Sequence, residues 1–160
     1  MKSKTYLYSL LQLLLFTEHQ ATFSWRNEMQ LNNYGFAEVG EWRLKENLKS
    51  GITFQLNNFE KERVIYAFVV DGETKYIGIC DSNTTTLKSR MNRYKNLQGA
   101  GTNERIAIEI RNCLKSGKAV RIFALKPPSS LDYKDLNVDL IKGLENPLIE
   151  SLRPDWNIQK

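Results

Sequence analysis

The chain is 160 residues long, enough for one compact domain with a real core and too short for two ordinary ones. Its 23 Lys and Arg against 18 Asp and Glu give a net charge of +5 and a pI near 9.2, a mild basic excess that attracts phosphates but is shared by many proteins with no such role. The two cysteines, Cys80 and Cys113, and the single His19 exclude a zinc or haem constellation, and no apolar run reaches the roughly 18 residues of a spanning helix, so no membrane partner is expected.

Lys2 and Lys4 precede an apolar stretch from Tyr6 to Phe16 that resembles a short signal-peptide core, although Gln12 interrupts it and no A-x-A cleavage site follows. The rival reading is an amphipathic helix presenting Leu7, Leu10, Leu11, Leu14 and Leu15, and that helix, with a cytoplasmic location, is the expectation. Thr17 to Asn47 is polar and carries Trp25, Tyr34, Phe36 and Trp42 without a clear element. Lys49 to Asn58 is strand-like or turn-rich around Gly51-Ile52-Thr53-Phe54, and Asn57 to Glu62 reads as a linker. Residues 1–59 are therefore read as an N-terminal extension for recognition or oligomer contacts, and 60–160 as the main domain.

From Val64 the pattern sharpens. Val64 to Val70 is an apolar, β-rich run, Asp71-Gly72 signals a type I′ turn, and Lys75 to Cys80 is a second run, which together predict a hairpin. Thr84, Thr85 and Thr86 offer N-caps for a helix from about Leu87 to Leu97, closed by Gly99 to Gly101. A second helix spans about Asn103 to Ser116 and stops at Gly117. Ala119 to Leu125 alternates as a third strand ended by Pro127-Pro128, and a last helical pattern fills about Val138 to Leu152 before Pro154. The order is β-β-α-α-β-α.

Two charged residues stand out on these elements. On the Leu87 to Leu97 helix the apolar arc is Leu87, Met91 and Tyr94, and Arg90 flanks it, either snorkelling along the core edge or holding something there; Lys88, Asn92 and Lys95 point away. Glu145 falls within the arc of Leu140, Ile141, Leu144, Leu148 and Leu152, where a carboxylate is costly unless it ligates a metal or pairs with an arginine; Pro147 makes the projection beyond 145 approximate. Tyr66 and Tyr76 lie in the two hairpin strands, where tyrosine is commonly structural. With Gly78 they form V-I-Y followed ten residues later by Y-I-G, a far more specific pattern.

Five segments, in order, resemble the GIY-YIG nuclease superfamily and within it the small phage and restriction-type endonucleases: Val64-Ile65-Tyr66, Tyr76-Ile77-Gly78, Leu87-x-x-Arg90-Met91-x-x-Tyr94, Leu144-Glu145-x-x-Leu148-Ile149 and Pro154-Asp155-Trp156-Asn157. Val64 stands where glycine is usual, Tyr94 where many members have histidine, and the Asp81 to Thr86 loop looks a few residues long. The resemblance implies an α+β fold, a GIY-YIG-like α/β/α sandwich with a small three-stranded, mainly antiparallel sheet flanked by helices, carrying the Leu-rich N-terminal extension. It further implies an endonuclease hydrolysing phosphodiesters in double-stranded DNA at defined sequences, with one Mg²⁺ or Mn²⁺ per site held by Glu145. Tyr66 would take the proton from the attacking water, Arg90 stabilise the scissile phosphate, Tyr76 orient water or phosphate, and Tyr94 sit beside the same phosphate. Lys75, Lys88, Arg93 and Lys95 would contact DNA, and Asn157 would tether the closing segment. One site per chain favours a homodimer or tetramer for double-strand cutting. The alternative is a DNA-binding module on the same fold without catalysis, which would predict loss of Tyr66, Arg90 or Glu145; all three are present.

Overall fold

The structure is a computed structural model that describes residues 30–99, 101–128 and 130–158. The expected Leu-rich helix over Tyr6–Phe16, with its leader alternative, lies outside the described residues. Five strands form one sheet: β1 (Ala37–Leu44), β2 (Ile52–Leu56), β3 (Ile65–Val70), β4 (Glu73–Ile79) and β5 (Val120–Leu125), in the order β2-β1-β5-β3-β4 with every pairing antiparallel. Helices α1 (Leu87–Lys95) and α2 (Thr102–Lys115) follow β4. A separate two-stranded hairpin, β6 (Leu131–Tyr133) and β7 (Leu136–Val138), precedes α3 (Leu140–Leu152).

The sheet is larger than the three strands expected. Residues read as extension supply two of its strands: β1 pairs with both β2 and β5, so the sheet grows from its β5 side. The sequence signal was weak because β1 shows no clean alternation: neighbouring Val39 and Gly40 are both buried at a register shift against β5, and its ends are exposed. The β6–β7 hairpin was likewise unexpected, and Val138, read as the start of the last helix, ends β7 instead. Asp139 begins the helix by accepting from the amides of Ile141 and Lys142, the usual role of an N-cap aspartate.

β3 is buried along its whole length because both faces of the sheet are covered. Tyr66, Phe68 and Val70 join Trp42, Val120 and Ile122 in a core with residues of α1 and α2. Ile65, Ala67 and Val69 face the other way, onto Leu31, Phe36 and the α3 residues Ile141, Leu148 and Leu152. The β3–β4 turn places Asp71 and Gly72 at φ 51 and 76, the pair of positive values a type I′ turn requires. A register shift follows, so that Thr74 and Tyr76 oppose Val69 and Phe68 and Lys75 is left as the extra residue of a bulge.

The helix ends explain the remaining differences from expectation. Thr86 caps α1 reciprocally with Ser89, a capping box built with serine. The helix stops at Lys95 because Leu97 adopts φ 52 and closes a Schellman turn, with Leu97 N bonded to Tyr94 O and Gln98 N to Arg93 O. A leucine takes the left-handed position usually given to glycine, and its side chain packs against the core. α2 ends with the same bonding at Gly117, φ 80, where sequence does signal the stop. α3 runs through Pro147 without breaking, although Pro147 has no N–H to offer the Gly143 carbonyl.

Candidate active site

The site is built around Tyr66. In the β3–β4 register Tyr66 lies opposite Gly78, and a Cβ on Gly78 would come within 2.5 Å of the Tyr66 ring carbon Cζ. The ring lies across the glycine, so the Y-I-G glycine is required by the packing of the first motif's tyrosine. Tyr66 is fully buried. Its hydroxyl accepts a hydrogen bond from Arg90 Nε at 2.9 Å and lies 2.7 Å from the hydroxyl of Tyr94. Arg90 and Tyr94 are one helical turn apart on α1, and the guanidinium sits 5.6 Å from the Tyr94 ring centroid. Tyr76 completes the cluster, its ring 6.2 Å from that of Tyr66 and stacked at 5.6 Å on Phe68.

Burial dominates the electrostatics. It pushes the Tyr66 phenol well above its ordinary value, with Tyr76 adding to the rise and Arg90 and Tyr94 opposing it, so Tyr66 is a neutral phenol in the resting protein. The Tyr94 phenol is raised for the same reason. Burial also works against the charge on Arg90, but the surrounding tyrosine oxygens outweigh it and the guanidinium stays ionised. Among the described residues only its Nε is bonded to protein, which leaves both amino groups of the fork available.

Glu145 lies on α3, which packs along β4 at the sheet's edge, and is near enough to Arg90 to feel its charge. The carboxylate is half-buried and makes no hydrogen bond or ion pair among the described residues. Its carboxyl is raised, chiefly by burial, while Arg90 pulls it down and Asp81 pushes it up. A half-buried acid within the field of an arginine yet without a bonded partner among the described residues is an unusual expense, and it suits a hard cation. Among the described residues no group of three His, Cys, Asp or Glu is placed to hold a metal, so Glu145 would be a lone protein ligand, the mode Mg²⁺ adopts when waters and substrate oxygens complete its shell.

The other predicted residues are placed as follows. Lys88 and Lys95 line a groove between α1 and β2 with Arg43, Gln55 and Asn92; Lys88 is paired with Glu60 at 2.7 Å, and Lys95 lies 6.0 Å from the Phe54 ring centroid. Arg93 is half-exposed in the last turn of α1. Lys75 is held between Glu73 and Asp155 at 2.5 and 2.7 Å, so its ammonium is already engaged. Asn157 binds the open edge of β4 like an added strand residue, accepting from Ile77 N at 2.8 Å and donating to Ile77 O at 2.9 Å. Trp156 N bonds Lys75 O on the same edge. Cys80 and Cys113 are free thiols, Cys80 fully buried.

Sequence reading missed Arg63 and Asp139. Arg63 donates to Asp139 with both arms of its fork, at 3.2 and 2.6 Å, and to Cys80 O at 2.9 Å. The cap signal of Asp139, an aspartate before an apolar run, was readable; nothing local marked Arg63.

No protein-family model matches the chain, nor does any curated protein. Among solved structures, a mutant of bacteriophage T4 EndoII is 25% identical, with a TM-score of 0.64 over 82% of this chain and 98% of that one. The restriction endonuclease HPY188I, in complex with product DNA, is 21% identical with a TM-score of 0.46, over 82% of this chain and 81% of that one. The chain therefore has the fold of T4 EndoII. No helix among the described residues is long and apolar enough to cross a membrane.

Proposed function

We propose that the chain is a divalent-metal-dependent endonuclease of the GIY-YIG type that hydrolyses phosphodiester bonds in double-stranded DNA at defined sequences. The observation that supports this reading is Glu145, half-buried, unpartnered among the described residues and within the field of Arg90, whose Nε binds Tyr66. The likeness to T4 EndoII, an endonuclease by name, supports it. Glu145 is the residue that would hold one Mg²⁺ or Mn²⁺. When bound, the cation supplies positive field that acidifies neighbouring groups and offsets the charge of the phosphate.

The chain's own residues divide the rest of the work. Arg90 presents its free amino groups to the scissile phosphate while Nε stays on Tyr66, fixing the fork's orientation. Tyr66 first loses its own proton to solvent and, as the phenolate, receives the proton of the attacking water. It is set up for proton exchange by two bonds to its oxygen, and its raised pKa must fall when positive charge arrives. Tyr94, bonded to the same oxygen, and Tyr76, its ring tilted against that of Tyr66, hold that geometry and exclude bulk water. Lys88, Arg93 and Lys95 meet the duplex backbone, and Lys75 does so on leaving its carboxylate partners. Two or four chains assembled together would bring two sites to two strands.

The decisive measurement is cleavage of supercoiled plasmid with Mg²⁺ or Mn²⁺, with EDTA and with Glu145→Ala. Metal-dependent cutting abolished by the substitution is the expected result, and discrete ends would give the recognition sequence. DNA bound but uncut by folded protein would sink catalysis and leave a binding module.

A further inference from the structure

Residues 60–64, just before β3, tie together three parts of the site. The carbonyls of Glu60 and Glu62 accept from the amides of Lys88 and Leu87 at 3.0 and 2.9 Å and so anchor the first turn of α1, which carries Arg90. Val64 O accepts from Cys80 N at 3.0 Å, closing the far end of the β3–β4 hairpin that holds Tyr66 and Tyr76. Arg63 then spans outward, its Nε on Cys80 O and its two amino groups on the two oxygens of Asp139. Asp139 in turn caps α3, where Oδ1 accepts from Ile141 N at 3.0 Å and Lys142 N at 3.4 Å.

Glu145 sits six residues beyond that cap, about 9 Å along the helix axis. Ile141 and Leu148 pack this helix onto the sheet, but its backbone is weakened between them. Pro147 leaves the Gly143 carbonyl without its helical donor, and Gly143 itself adds backbone freedom. The place of the Glu145 carboxylate thus depends on what holds the front of α3, where Arg63, just before β3, adds a polar clasp to the packing of Ile141.

We propose that Arg63 is a positioning residue for Glu145, its bidentate clasp on the α3 cap aspartate and its bond to the end of β4 setting the carboxylate beside Arg90. This rests on Glu145 being the cation ligand. An arginine is needed because only a planar fork can serve two carboxylate oxygens and a carbonyl at once. A lysine keeps the charge and loses that geometry. Asparagine at 139 keeps the cap and loses the carboxylate partner, so the pair of substitutions separates clasping from capping.

The test uses the full chain carrying Arg63→Lys or Asp139→Asn, with Lys126→Ala, which breaks the neighbouring exposed pair to Glu62, as control. Amide exchange at Ile141 and Lys142 is followed by NMR, together with broadening of signals around Glu145 by added Mn²⁺. Both clasp variants should exchange faster at these amides and need about tenfold more Mn²⁺ for equal broadening, the usual scale for loss of a group that orients a metal ligand. The Lys126 variant should match wild type. In plasmid cutting the clasp variants should lose rate at saturating DNA while KM for DNA is unchanged. Unchanged exchange and Mn²⁺ response in both variants would overturn the proposal. Mn²⁺ broadening in wild type centred away from Glu145 would instead defeat the reading of Glu145 as ligand, and exchange would still decide whether the clasp holds α3.

Discussion

Tyr66 and Glu145 are both held in states that cost the folded protein something. Among the described residues the buried Tyr66 hydroxyl has Arg90 and Tyr94 as partners, so Tyr66→Phe leaves the buried Tyr94 hydroxyl and the half-buried Arg90 Nε unsatisfied and should destabilise by about 1–3 kcal/mol. If Tyr66 is the proton acceptor, the same change should slow cutting by about 100-fold or more, measured at saturating metal. Because its phenol is raised, the ionised fraction grows through the whole accessible pH range, and the wild-type rate should climb with pH up to at least neutral-alkaline conditions. A rate that is flat with pH would remove Tyr66 from the proton-accepting role. Glu145 gives a prediction of opposite character. Its folded-state pKa lies above the unfolded value, so ionisation opposes folding at neutral pH, and the penalty fades as pH falls through that raised value. Glu145→Gln should therefore abolish cutting yet raise Tm by about 2 °C at pH 7, with the gain disappearing in acid. A lower Tm would mean that the carboxylate has a stabilising partner.

The elements around the site are braced mainly at their ends. α3 depends on Asp139, whose carboxyl is held below its usual range, first by the hydrogen bond from Arg63. The sign is the reverse of Glu145: this contribution is present above the ordinary carboxylate pKa and lost as pH falls through the lowered folded value. Asp139→Ala, which removes cap and clasp together, should cost about 1 kcal/mol at neutral pH and less below that lowered value, where the protonated carboxyl can still cap but no longer holds Arg63 by charge, as read by urea unfolding at each pH. The hairpin depends on Gly78. Gly78→Ala must displace the Tyr66 ring, and the expected cost is about 1–3 kcal/mol together with loss of cutting.

Across the whole molecule, the basic excess is spread thinly, and much of it is already paired: Lys75, Lys88, Lys118 and Lys126 each face a carboxylate. Exposed pairs of this kind are worth little and open easily to a competing phosphate. Replacing Lys88 and Lys95 together by alanine should weaken binding to all DNA sequences alike and flatten its salt dependence by about one unit of log K per log salt for each phosphate no longer neutralised. A change in sequence preference with an unchanged salt slope would mean that the groove between α1 and β2 does not follow the backbone.

The sequence alone was sufficient for those parts of the protein that depend on neighbours in the chain. The β3–β4 hairpin follows from an apolar run, a turn dipeptide and a second run; α1 and α2 follow from helical spacing and caps. Local patterning also marked Arg90 and Glu145 as charges against apolar arcs. What it left open depends on residues far apart in the chain. β1 joins the sheet only through β5, some eighty residues later, and β1's irregular pattern carries no record of that partner. The bond from Arg90 to Tyr66, the seating of Tyr66 over Gly78 and the grip of Arg63 on Asp139 are likewise set by how sheet and helices pack, since a side chain's partner across the core leaves no period in the sequence. Tertiary structure alone decided that Tyr66 is wholly buried and Glu145 unpartnered among the described residues, because burial and pairing are properties of the packed chain.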